Sequence, residues 1–399
     1  MATAAKVRDT DRLYAFVAFL EDRHSQEEMQ RVMDADTVSD TLVAPGGVDA
    51  AIAWLQKQNK SPQRLLVDIS TSERALDDLD RLADACDPSV LVYVVGERND
   101  VGLYRNLLAR GVQDYLVKPL GVELIRRLLI QEKSNVRRSR HGRCVAIMGT
   151  RGGVGVSSVA AHLARALGQG GVRRRVVYVD LNPFDGCGAG ILGCPGGTAL
   201  LDILGNIDRL DHQYLERTLA QAGPNLFVLA AELDYSDEFL PSADALRRLL
   251  EALTQYFHYV VVDVPSRRGA LVNEVLLRAS LVGLLADPSV HSARTLARLA
   301  RHIEARPNPP TVLPVLNHPW APGRSQVQDA DFKDVSTHPI RVSIAHDAKG
   351  PALAENLGQE LPSGSEFARG VQALAALVTG EALKASGSSW WRRLFRGRA

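Results

Sequence analysis

The chain has 399 residues, 46% of them apolar, with 47 Lys and Arg against 46 Asp and Glu. That apolar content excludes a disordered chain, and the near-zero net charge excludes a whole-surface polyanion binder, so any basic site is local. No apolar run approaches the ~20 residues of a membrane-spanning helix, and the N-terminus lacks the apolar core of a signal peptide. Four scattered cysteines, Cys86, Cys144, Cys187 and Cys194, read as reduced thiols, which predicts a cytoplasmic protein.

In chain order, residues 13–20 (LYAFVAFL) predict a buried strand, followed by strands at 65–69, 90–95 and 115–117. Helical patterns fall at 48–58, 73–85 and 101–109. Strands alternating with helices predict a doubly wound parallel sheet. Residues 131–143 (QEKSNVRRSRHGR) are polar and basic. They read as an interdomain linker, with a nucleic-acid patch as the alternative. A second α/β set follows, with strands at 144–148, 176–180, 226–230, 259–263, 281–286 and 312–317 and helices at 158–167, 243–255 and 292–305. Domains are therefore expected at 11–130 and 144–383, with a tail at 384–399.

The strongest chemical signal is the turn after the strand at 144–148, Gly149-Thr-Arg-Gly-Gly-Val-Gly-Val-Ser-Ser158. Glycines at 152, 153 and 155 let backbone N–H groups converge at a helix N-terminus, a geometry suited to phosphate. The turn resembles the deviant Walker A motif of the ParA/MinD family, KGGxGK[ST]. Arg151 stands where that family has its signature lysine, and Val156 where it has the phosphate-contacting lysine. The resemblance implies ATP held along Arg151, Gly152, Gly153, Val154, Gly155, Val156, Ser157 and Ser158. It implies Mg²⁺ at Ser157, Asp180 and Asp263, the adenine edge at Asn317, and a homodimer. The second acid of the family's D-x-D pattern is here Asn182, a poor base. A lost lysine removes a charge-assisted hydrogen bond of about 1.5–3 kcal/mol. No residue is therefore assigned a catalytic role. A bare tight turn, nucleotide binding without hydrolysis and a competent ATPase all remain open.

The first α/β unit resembles a response-regulator receiver of flavodoxin-like fold. Asp68 lies at the phosphoacceptor position, Glu21 and Asp22 near the metal acids, and Lys118-Pro119 at the Lys-Pro pair. Gly96 replaces the switch hydroxyl. The resemblance implies an atypical receiver used for docking or dimerisation, with a phosphorylated switch as the alternative. The simplest reading of Asp68 is a solvent-facing carboxylate at a strand end.

A receiver-like unit ahead of a ParA/MinD-like unit resembles the CpaE/TadZ family of Flp (tight-adherence) pilus assembly proteins. Asp185-Gly186, the run Ala286-Asp287-Pro288-Ser289-Val290 and Ala354-Glu-Asn-Leu-Gly358 also fit. The resemblance implies a localisation factor at a cell pole that recruits the pilus secretion ATPase and inner-membrane platform. A ParA/MinD-type ATPase cycling on membrane or nucleoid, and a receiver-controlled regulator, are the rival expectations. The end of the chain is Trp390, Trp391, Arg392, Arg393, Leu394, Phe395 and a further basic stretch. A short amphipathic helix there would meet anionic lipid; a disordered tail or a partner-docking peptide is the alternative.

Overall fold

The computed structural model describes residues 13–380, apart from 37–38, 59–60, 131–140, 170–173, 266–267, 363 and most of 322–337. Most of the expected linker therefore lies outside the described residues. So does the tail, with Trp390, Trp391, Arg392, Arg393, Leu394 and Phe395.

Short aliphatic runs build the first sheet: β1 (Phe16–Leu20), β2 (Thr41–Pro45), β3 (Arg64–Asp68), β4 (Leu91–Gly96) and β5 (Asp114–Val117). All pairs are parallel, in the order β2-β1-β3-β4-β5. Alternate residues of β1 enter separate cores. Val17 and Phe19 pack on one face, Phe16, Ala18 and Leu20 on the other. Parallel strands buried on both faces need helices on both sides, as the alternation predicts. Two details differ from expectation. The first strand begins at Phe16, because Leu13 is 49% exposed. The edge strand β2 was not expected: it is only half-buried and ends in proline, so it lacks the apolar signature of a central strand.

The second sheet has eight strands: β6 (Arg143–Gly149), β7 (Val176–Asp180), β8 (Ala220–Gly223), β9 (Leu226–Leu229), β10 (Tyr259–Val264), β11 (Leu281–Ala286), β12 (Thr311–Asn317) and β13 (Val342–Ile344). Their order is β13-β12-β11-β6-β10-β7-β9-β8. Every pairing is parallel except β8 with β9. The edge strands β8 and β13 were not expected, and both are short. Because β6 starts at Arg143, that residue belongs to the sheet and not to the linker. The helix Val156–Gly168 leaves β6 and buries Val159, Ala160, Ala161, Leu163, Ala164 and Leu167. Its alanines let the helix lie close to the sheet.

The two units meet at the amino ends of β7 and β10. The His258 ring hydrogen-bonds the Cys86 carbonyl through Nε2 at 2.8 Å and accepts from the Arg175 amide through Nδ1 at 3.0 Å. The second bond fixes the proton on Nε2. Arg174, 4% exposed, donates to Asp84 at 2.9 Å, and the Arg175 guanidinium lies over Phe227 and Phe257. A cleft of about 440 Å³, lined by Leu82, Asp87, Arg143 and Tyr259 among others, runs along this seam. Asp180 and Asp263 stand near the opposite, carboxyl ends of β7 and β10.

One core residue has a measurable signature. His162, on the helix after β6, is 3% exposed and packs edge-on against Phe367. Neither ring nitrogen has a hydrogen-bond partner among the described residues. Burial, helped by Arg165, pushes its pKa down to about 4. The unfolded chain thus binds more protons below about pH 6.5, and stability is lost as pH falls through that range. His162→Leu removes the effect. Its stability relative to the parent should grow by up to ~3 kcal/mol between pH 7 and pH 4, read from urea midpoints.

Candidate functional site: the loop after β6

Beyond β6 the chain turns through Gly153 (φ 76°) and Gly155 (φ 88°) into the helix Val156–Gly168. Such left-handed angles suit glycine. No side chain caps this helix, so its first N–H groups stay free for an anion. An added Cβ at Gly152 or Gly153 would meet no atom within 4 Å, so the loop's outer side is open.

The inner side is filled by the protein itself. Val154 is fully buried, and Val156 joins the core cluster beneath the helix. Their Cγ2 atoms close over Gly149, at 2.6 and 2.8 Å from where its Cβ would stand. At the lysine position the chain thus has a packed valine. The Asn317 amide, 3% exposed, donates to the Val154 carbonyl at 2.8 Å and sits 2.6 Å from a Cβ at Gly155. The expected adenine-edge residue is therefore a brace for the loop backbone.

Arg151 turns away along the surface. Its guanidinium pairs with the fully buried Asp287 carboxylate, with Nε at 2.8 Å, and lies 5.2 Å from the Trp320 ring centre. Burial works to raise the Asp287 pKa, but hydrogen bonds from Ser289, Ser292 and Arg151 outweigh it and hold the carboxyl below its usual range. The expected phosphate-facing arginine is thus held by its own domain.

Beside the loop, Asp180 and Asp263 end the neighbouring strands β7 and β10 at 2% and 1% exposure. The Tyr178 hydroxyl donates to Asp263 Oδ2 at 2.9 Å and lies 3.3 Å from Asp180 Oδ2. Ser157 hydrogen-bonds Asp263, and the Asn182 amide donates to Asp180 at 2.9 Å. Burial, then repulsion from Asp263, raises the Asp180 pKa to about 7. Burial also raises that of Asp263, against hydrogen bonds from Ser157 and Tyr178. Two carboxylates and a hydroxyl form a hard oxygen set that fits Mg²⁺. The Asn182 side chain accepts from the Asp185 amide at 3.3 Å, so it closes a turn. Cys187, beside Ser157, has its thiol pushed up to about 11 by burial, which disfavours the thiolate.

Of the residues expected from the sequence, Ser157, Asp180 and Asp263 lie together in this structure. Sequence reasoning missed Tyr178, although a tyrosine in the otherwise aliphatic Val176–Asp180 strand was a visible signal. It also missed the pairing of Arg151 with Asp287, which lies 136 positions away.

The first unit has its own acidic pocket. Asp68 is fully buried, so the solvent-facing reading is corrected. Lys118 Nζ lies 2.6 Å from both Asp68 Oδ2 and Asp22 Oδ2. Burial would lower the Lys118 pKa, but those two carboxylates raise it. Ser70 Oγ and the Glu21 amide also donate to Asp68. At Gly96 a Cβ would stand 2.7 Å from the Tyr115 hydroxyl, which donates to the Arg98 carbonyl. The tyrosine thus fills the space of a switch side chain.

No family model matches the chain. It is 27% identical over 166 residues to the sporulation initiation inhibitor protein Soj of Bacillus subtilis, covering 40% of this chain and 63% of that protein. The chain therefore spans less than two thirds of that relative's length. A ParA family ATPase from Chlorobium tepidum superposes with a TM-score of 0.53 at 21% identity, over 59% of this chain and 98% of that one. The septum site-determining protein MinD of Pyrococcus horikoshii, solved with Mg-ADP, superposes at 0.50 and 19% identity, over 59% and 96%. The second unit therefore has the fold shared by these ParA and MinD proteins. A pilus assembly protein CpaE from Caulobacter crescentus is 36% identical over 28% of this chain and 94% of that one, with a TM-score of 0.27. Among the described residues no helix is long and apolar enough to cross a membrane.

The Asn317 brace is directly testable. Asn317→Ala leaves a buried carbonyl unpaired and should cost about 1–3 kcal/mol in urea unfolding; an unchanged midpoint would remove its bracing role.

Proposed function

We propose that this protein is a pilus-assembly localisation factor of the CpaE/TadZ type. It uses the P-loop fold as a scaffold and turns over little or no ATP. The observation that carries the reading is Val156. The position that would neutralise the phosphates is a partly buried valine packed against the core over Gly149, and Arg151, at the signature-lysine position, is paired with Asp287. Nucleotide, when bound, would lie against the open N–H groups of the loop. Its Mg²⁺ would be held by Ser157, Asp180 and Asp263 and would supply charge neutralisation at the phosphates. Asn182, at the position of the family's second acid, closes a turn and is a poor base. Transition-state charge would go unmet where the lysines are missing.

The pilus assignment rests on the order of the two units and on the blunting of Val156, Asn182 and Gly96 together. The receiver-like unit is a docking module, and the protein acts as a homodimer that recruits the secretion ATPase and inner-membrane platform at a cell pole. Contact of its tail with anionic membrane belongs to the same proposal. One observation favours a second reading, a receiver-controlled regulator: the Asp22–Lys118–Asp68 pocket is complete. Against it, Tyr115 occupies the space at Gly96.

Phosphate release by the purified chain tests the reading. No turnover above background is expected, and Val156→Lys should tighten ATP binding about 10–100-fold through one added charge-assisted bond. Turnover at the rate of an active relative, abolished by Ser157→Ala, would overturn it. In the native host, deletion should disperse the pilus secretion ATPase from its pole; undisturbed foci and normal pili would contradict the pilus assignment.

A further inference from the structure

Tyr178 is the residue that the mechanism above does not use. It is among the largest fully buried side chains and the sole aromatic residue in β7. Its hydroxyl lies between two carboxylate oxygens, at 2.9 Å from Asp263 and 3.3 Å from Asp180. The surrounding chain makes room for it. A Cβ at Gly188 would overlap the Tyr178 hydroxyl, and a Cβ at Gly186 would overlap the Asp180 carboxylate. The other donors to the pair are the Asn182 amide, the Gly188 amide and the Ser157 hydroxyl.

A buried carboxylate pair needs a counter-group. The lysine that a phosphate loop would place nearby is Val156. A divalent cation held here would draw on the Asp180 and Asp263 carboxylates. The phenol hydroxyl already engages the Oδ2 atoms of Asp263 and Asp180, at 2.9 and 3.3 Å. Tyr178 donates one hydrogen bond there without adding charge.

We propose that the Tyr178 hydroxyl is the built-in counter-group of the Asp180–Asp263 pair, and that a divalent cation enters this corner only by displacing it. Tyr178 is thus a positioning residue that sets the cation affinity of the site. The inference rests on reading Asp180 and Asp263 as the metal corner of the P-loop domain. It does not depend on the pilus assignment or on the level of turnover.

Mn²⁺ binding to the full, nucleotide-free chain, followed by electron paramagnetic resonance, tests it. Tyr178→Phe removes one oxygen and keeps the ring, so it should bind Mn²⁺ at least tenfold more tightly than the parent. Affinities within twofold of each other, or no binding by either chain, would overturn the proposal. A second measurement needs no variant. Mg²⁺ that competes with Mn²⁺ on the parent chain should produce a tyrosine difference band in the near ultraviolet as the hydroxyl loses its carboxylates. Competition without that band would also overturn it. Phosphate release plays no part in either readout, so an active ATPase would refute the scaffold reading and leave this one standing.

Discussion

Two carboxylates buried side by side, Asp180 and Asp263, constrain the rest of the second domain. Each is almost fully removed from water, and removing an ion from water costs several kcal/mol unless donors replace the lost hydration. The fold places the pair there because β7 and β10 are adjacent and in register, with Asp180 opposite Asp263. Everything around the pair supplies donors: the Tyr178 and Ser157 hydroxyls and the Asn182 amide. The loop beside it is likewise closed from within, by Val154 and Val156 over Gly149 and by Asn317 on the Val154 carbonyl. A site satisfied by its own side chains holds its shape without a nucleotide. The same contacts leave it few unused groups with which to stabilise a transition state.

The first domain solves a similar problem with a full charge. Buried Asp68 is met by Lys118, which also reaches Asp22. There opposite charges stand in close contact. The two domains meet at the amino ends of β7 and β10, through His258, Arg174 and Arg175. The carboxylates of the second site stand at the other ends of those strands.

Much of this was legible in the sequence. Central strands such as Val176–Asp180 and Leu281–Ala286 are continuous aliphatic runs, and their bounds came out as expected. The edge strands Thr41–Pro45, Ala220–Gly223 and Val342–Ile344 were missed because they are short or only partly buried. Periodicity carries little information at that length. In the site, the glycines and Ser157 could be read locally, since a strand, turn and helix are contiguous. The fates of Arg151 and Asn317 could not. Their partners, Asp287 and Val154, are set by the order of strands across the sheet, and local spacing does not reveal which side chain a distant strand brings near.

A second domain held together by its own side chains, as we propose, gains little stability from nucleotide. The most direct measurement is the thermal midpoint of the full chain, stripped of nucleotide and metal, against the same chain with millimolar Mg-ATP. A ligand whose Kd is near its concentration adds only about 0.4 kcal/mol, which for a domain of this size is roughly 1–2 °C. The stripped protein should unfold in a cooperative transition, and Mg-ATP should shift it by no more than that. A rise of about 10 °C, or a stripped protein without a cooperative transition, would show that nucleotide and its metal supply what we assign to Tyr178, Val156 and Asn317.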